Sequence, residues 1–240
     1  MRALLVLLLL VTALADAEPR PLRFSVIEGW AMPLARIEEG RLTGGILFEL
    51  FNATAQQVGM RPDFRLMPRA RIEQAQSSHS IDVRCYISPT WLEHDVRGYR
   101  WSLPLFSQRD LLVARNGSLA GLQNLNRESI GTVLGYQYPP LQALFASGRI
   151  QRDDARNQEL VLKKLEIGRY RYALSSEVAL AWFNRNQPAS QRLHVLEQVD
   201  QTDLGCMVLD DPQVPTQAIL DALSALKRSG EVERILAHYR

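Results

Sequence analysis

The chain has 240 residues, 46% of them hydrophobic, with 28 Lys+Arg against 26 Asp+Glu and two cysteines. This composition excludes a disordered, collagen-like or disulfide-framework chain. A net charge of +2 leaves no electrostatic footprint for nucleic acid or an anionic membrane. The length is generous for one compact domain and comfortable for two small ones.

Residues 1–17 read as an export signal. Arg2 is a positive n-region, Ala3 to Leu14 an apolar h-region, and Ala15-Asp16-Ala17 a small-x-small cleavage site. The apolar run is short for a membrane span, and no second run of about 18 apolar residues follows. An uncleaved anchor is the alternative. No cysteine stands at the cleavage site to take a lipid.

Beyond residue 20, short β-type runs alternate with helical ones. Leu22 to Ile27 predicts a first strand, ended by Gly29. Ile46, Leu47, Leu50, Phe51, Ala55 and Val58 recur at helical spacing, with Gly59 where a C-cap belongs. Pro62 to Met67 predicts a second strand, Arg69 to Gln76 a helix, and Ile81 to Ile87 a third strand. The βαβαβ order is the signature of a parallel, helix-covered sheet. Residues 88–110 interrupt the alternation. Strands are then expected at Leu111 to Ala114 and Ile130 to Leu134, and helices at about 140–147 and 157–167. Tyr172 to Leu174 reads as a strand entering a helix from Glu177. His194 to Glu197 and Gly205 to Leu209 read as two further strands. Helices over Pro215 to Leu226 and Glu231 to Tyr239, broken at Gly230, close the chain.

Several pieces carry a family resemblance by their order and spacing. They are Leu22-Arg23-Phe24-Ser25-Val26 with Gly29-Trp30, Gly40-Arg41-Leu42-Thr43-Gly44-Gly45, Ile81-Asp82-Val83, and Ser88-Pro89. Trp101-Ser102-Leu103-Pro104-Leu105-Phe106, Ile130-Gly131-Thr132-Val133-Leu134-Gly135, Gly168-Arg169 and the tail from Leu226 through Tyr239 complete the set. In this order the chain resembles the family 3 solute-binding proteins, the periplasmic receptors of polar amino-acid ABC transporters. The resemblance implies an α/β, two-lobed type II periplasmic-binding fold. Each lobe is a mostly parallel sheet covered by helices, and two crossover strands join them. Lobe 1 would be 18–107 plus 205–240 and lobe 2 would be 108–204. It further implies a monomeric receptor in the periplasm that hands a small solute to an ABC permease. Hinge closure on the ligand would supply the mechanism.

Carried over residue by residue, the resemblance proposes ligand contacts. Gly135, Tyr136 and Gln137 lie at a strand-to-helix turn that would receive an anionic group; a plain turn is the other reading. Trp30 could stack on an apolar or cationic ligand, or simply be buried beside the hinge. An acid at the end of the Tyr172 strand would pair with a ligand ammonium. Glu177 or Ser176 occupies that place, although an N-cap Ser176 followed by a first-turn Glu177 needs no ligand. Arg69 is a candidate anion partner or a solvated helix residue.

The main departure follows Ser88-Pro89-Thr90, in which the resemblance makes Ser88 a further candidate ligand contact. Family members for amino acids continue to an Arg that clamps the ligand carboxylate, and here Trp91 stands in its place. Arg97 and Arg100 lie nearby but off the motif. Trp30, Trp91 and Tyr136 therefore lead to the expectation of a flatter, more aromatic or less charged solute. Cys85 and Cys206, brought by this topology onto neighbouring antiparallel strands, are expected to form a disulfide; two buried thiols are the alternative. The four histidines show no ligand-type spacing. No phosphate loop, dinucleotide fingerprint or nucleophile elbow is present, so neither metal nor cofactor is expected. Two other functions stay open. One is a sensor or docking module. The other is a dehydratase-like enzyme with Glu177 as general acid.

Overall fold

A computed structural model describes residues 20–92, 94, 96–117 and 121–240; the predicted signal segment lies outside them. In chain order the elements are β1 (Leu22–Ile27), β2 (Arg36–Glu38), β3 (Arg41–Gly44), α1 (Ile46–Gln57), β4 (Pro62–Met67), α2 (Ile72–Ser77), β5 (Val83–Ile87) and β6 (Tyr99–Trp101). They continue with β7 (Phe106–Ala114), β8 (Glu128–Val133), α3 (Gln142–Ala146), β9 (Ile150–Ala155), α4 (Gln158–Glu166), β10 (Tyr172–Ser176), α5 (Glu177–Asn184), β11 (His194–Leu209), α6 (Thr216–Arg228) and α7 (Glu231–Ala237).

The first lobe forms around β1, which pairs parallel with β4 and with β5. α1 covers this sheet because Ile46, Leu47, Leu50, Phe51, Thr54 and Ala55 fall on one face and are all buried. Phe51 stacks on Phe24 of β1 with ring centroids 4.5 Å apart. The helix stops at Gly59, whose φ of 67° suits a residue without a Cβ. There the Gly59 N–H donates to Gln56 O at 3.1 Å and the Met60 N–H to Ala55 O at 2.9 Å, which satisfies two terminal carbonyls. Asp82, fully buried, ties the lobe together before β5. It accepts from the Arg23 backbone N–H at 2.9 Å, from Arg23 Nη2 at 2.7 Å and from Arg20 Nη2 at 2.8 Å. Burial opposes its charge, but the Arg23 and Arg20 hydrogen bonds win and hold its carboxyl below the usual range.

The second lobe carries β8 between β9 and β10, parallel to both, with β7 antiparallel at β10. Val161, Leu162 and Leu165 of α4 pack on it beside Tyr170 and Ala173.

β7 and β11 cross between the lobes. β11 runs antiparallel to β7 from His194 opposite Ala114 to Leu204 opposite Phe106, then takes β5 as its partner from Gly205 onward. Its burial changes at the same point: residues 194–203 are exposed or half-buried, and Leu204 to Leu209 are all buried. The structure thus joins the two short strands expected at 194–197 and 205–209 into one of 16 residues. The polar stretch between them is the crossover itself. Likewise the expected interruption over 88–110 contains β6 and the start of β7. β9 was not expected at all; its Gln151-Arg152-Asp153-Asp154 run suits a charged edge strand and hides the apolar alternation. The helix expected from Arg69 begins as a 3-10 turn over Arg69–Arg71 before α2.

Cys85 and Cys206 face each other across β5 and β11 and are joined in a disulfide. The bridge lies within the first lobe, next to the crossover.

Candidate functional site

Two adjoining cavities lie where the lobes meet. Trp30, Tyr86, Gln108, Asp110, Tyr136 and Tyr138 line both. The larger, of about 70 Å³, also contacts Arg69, Arg84, Trp91, Gly135 and Gln137. The smaller, of about 40 Å³, extends to Gly29, Gln158, Ser175 and Ser176.

Each wall is built by a recognisable local device. On the first lobe, Tyr86 is the extra residue of a β-bulge: β11 pairs Gly205 with Ile87 and Cys206 with Cys85, which leaves Tyr86 unopposed. Its φ of 60° is a left-handed conformation that a bulky residue holds only under constraint. The disulfide at Cys85 and the Tyr86 hydroxyl, which donates to Gln108 Oε1 at 2.5 Å, supply that constraint. Gln108 Nε2 in turn donates to Asp110 Oδ1 at 2.8 Å. Burial pushes the Asp110 carboxyl up to about 6, and the Gln108 hydrogen bond only partly offsets it. Tyr86 and Tyr136 are likewise pushed up by burial, so both hydroxyls stay neutral.

On the second lobe, residues 133–136 make a tight turn after β8. The Tyr136 N–H donates to Val133 O at 3.1 Å. Arg152 fixes the turn from below, donating to Val133 O at 2.8 Å and Tyr136 O at 3.0 Å while pairing with Asp154 at 2.9 Å. Gly135 has φ 74°, and a Cβ there would stand 3.2 Å from Arg69 Cδ. Glycine therefore serves both the turn and the close approach of the opposite lobe. The Arg69 guanidinium sits over the Tyr136 ring, 4.7 Å from its centroid, as a cation–π contact between the lobes. A second contact between the lobes is peripheral. Trp182 of α5 lies 5.8 Å from Tyr239, and the Tyr239 hydroxyl donates to Glu49 of α1 at 2.5 Å.

Of the residues expected at a site, Trp30, Arg69, Trp91, Gly135, Tyr136 and Gln137 come together around the larger cavity. Ser176 reaches the smaller one but spends its hydroxyl as N-cap of α5, accepting from the Ala179 N–H at 3.4 Å. Ser88 is turned away: its oxygen caps the turn over Pro89–Trp91, and it borders a separate open cleft with Pro139, Pro140 and residues 200–203. Glu177 is tied by both oxygens to Arg109 and borders a different recess with Phe106 and Leu236. Its expected part as an ammonium partner therefore finds no support in this geometry. Arg97 and Arg100 do not line the cavity, and Arg100 donates to Gln217 at 2.9 Å on the surface.

Sequence reasoning missed Arg84, Tyr86, Gln108 and Asp110. Arg84 was the most findable, since a charge inside an apolar central strand needs a reason. Its presence gives the larger cavity a second guanidinium beside Arg69. Among the described residues no group of three or more His, Cys, Asp or Glu side chains could hold a metal.

No family model matches the chain, and no curated protein matches it. Solved structures do match it in fold. An ancestral arginine-binding protein bound to arginine shares 20% identity at a TM-score of 0.71, over 91% of this chain and 97% of that one. The arginine-, lysine-, histidine-binding protein ArtJ from Geobacillus stearothermophilus shares 14% at 0.72, over 92% and 95%. A histidine kinase sensor domain with similarity to periplasmic binding proteins shares 22% at 0.72, over 92% and 96%. These likenesses establish the two-lobed type II periplasmic-binding fold.

Proposed function

We propose that the chain is a periplasmic solute receptor that captures a small polar or aromatic solute, an amino acid or related compound, between its lobes. The observation that carries this reading is the paired cavity of Trp30, Tyr86, Asp110 and Tyr136, lined from both lobes and from the crossover strand β7. Such a site rewards closure, because a ligand contacting both walls stabilises the apposed state over the open one. The lobes would be 18–107 with 205–240 and 108–204, hinged where β7 and β11 cross. Export with loss of residues 1–17, a monomeric state and delivery to an ABC permease belong to the same proposal.

Admission of a solute requires the lobes to part. The larger cavity encloses about half the volume that holds benzene in an engineered protein core. The contacts to be broken include Arg69 on Tyr136, worth roughly 0.5–2 kcal/mol, and Trp182 on Tyr239. A second reading, a ligand sensor coupled to a membrane partner, is favoured by the sensor-domain match. The dehydratase reading gains no support, since Glu177 pairs with Arg109 and lines neither cavity.

The test is a thermal-shift screen of ligand-stripped protein against amino acids, aromatic acids, polyamines and sugars. A solute at 100 times its dissociation constant should add about 2.7 kcal/mol. That rise should vanish in Trp30→Ala. A flat screen of folded protein would contradict the receptor reading. Pull-down of permease components against sensor components separates the two roles.

A further inference from the structure

Among the described residues, the two cationic side chains of the larger cavity have no anion paired with them. Arg84 is only 8% exposed, on the central strand β5. Its Nη1 donates to Gln76 Oε1 at 2.7 Å, and Gln76 is itself buried, with its amide nitrogen 3.7 Å from Met207 Sδ. A guanidinium has five donors, and this one neutral acceptor leaves the others for whatever fills the cavity. Among the described residues neither Arg84 nor Arg69 forms an ion pair. Burial, and then the neighbouring Arg69, pushes Arg84 down to about 10. It thus stays charged at neutral pH while its charge is costly to hold. Glu73, on α2, favours that charge from a distance but is exposed.

We propose that Arg84 and Arg69 form the anion subsite of this cleft, and that the solute it takes carries a carboxylate seated on both guanidiniums. The inference rests on the receptor reading above. A single carboxylate fits better than a dianion, because Asp110 lines the same cavity and repels excess negative charge. The planar guanidinium fork also matches a two-oxygen acid. The cation that Trp91 displaces from its usual place is thus supplied by β5 and by the turn after β4.

The experiment titrates ligand-stripped parent, Arg84→Met and Arg69→Met with three acid–amide pairs by calorimetry: L-arginine and L-argininamide, L-phenylalanine and L-phenylalaninamide, benzoate and benzamide. At least one acid should bind the parent about tenfold or more tighter than its amide, and either variant should remove about tenfold of that affinity. Empty Arg84→Met should melt no lower than the parent, since an unpaired buried charge has been removed. Arg69→Met, at a half-exposed position, keeps the test valid if Arg84→Met fails to fold. Equal binding of acid and amide, or full affinity in both variants, would overturn the subsite while leaving the receptor reading intact. A parent that binds none of these, nor any sugar or polyamine, would overturn both.

Discussion

The two faces of the cleft differ in how they treat charge. The first lobe presents Arg69 and Arg84 without ion-pair partners, beside Trp30, Tyr86 and Trp91. The second presents Gly135, Tyr136, Gln137 and Tyr138 with the carboxyl of Asp110, while Arg152 is spent on Asp154 and two carbonyls and Glu177 on Arg109. In the proposed receptor the first face would take the anionic end of the solute and the second would close over it. The rigid backing belongs to the first lobe as well, in the Asp82 clamp and the Cys85–Cys206 bridge.

Removing that backing should have the largest effect. Asp82→Ala leaves Arg23 and Arg20 without their buried carboxylate and should cost about 3–5 kcal/mol at neutral pH, read by urea unfolding. The native Asp82 carboxyl is depressed, so its contribution is present above the unfolded value of about 3.9 and is lost as pH falls through the native one. The gap between variant and parent should accordingly narrow in acid. A pH-independent gap would mean that packing, not charge, is what Asp82 supplies.

Asp110 should behave in the opposite sense. Its carboxyl is raised to about 6 in the folded protein, so the native state holds a proton that the unfolded chain releases near 4. Stability from this group is full below about 4 and falls as pH rises to about 6. Asp110→Asn keeps an acceptor for Gln108 and should stabilise the empty protein by roughly 1–3 kcal/mol at pH 7, with no gain at pH 4. The same substitution should weaken any amine-bearing solute more than its deaminated analogue. A variant less stable than the parent at pH 7 would show that Asp110 has a cationic partner.

The smallest effect concerns the peripheral contact. Trp182→Ala removes the ring facing Tyr239 and should cost the closed state about 0.5–1.5 kcal/mol beyond lost burial. It should appear as several-fold weaker solute binding with the subsite unchanged. Unaltered affinity would show that closure draws nothing from this edge.

Much of this architecture was legible from residues alone. Apolar spacing in Ile46 to Ala55 and the stop at Gly59 placed α1, and the β-branched and aromatic runs placed β1, β4 and β5. The two cysteines were paired through the topology. What stayed hidden was polar. β9 and the middle of β11 are strands whose side chains face solvent, so composition reads them as loop. At the site, Trp30, Arg69, Trp91 and Tyr136 could be read from the sequence, and the polar residues of β5 and β7 could not. Arg84, Gln108 and Asp110 owe their role to which strands meet, and Tyr86 owes its place to a bulge that only pairing with β11 creates. Glu177 shows the converse: an acid at the expected place pairs with Arg109 and lines neither cavity.

The central claim is that the solute sits between these two faces. Hydrogen exchange, with and without the strongest solute from the thermal-shift screen, tests it directly. Protection should rise at residues 29–31, 84–91, 108–110 and 133–138, and stay unchanged on the outer helices α1 and α6. Protection confined to the open cleft at Pro139, Pro140 and residues 200–203, or to any outer surface, would contradict the account.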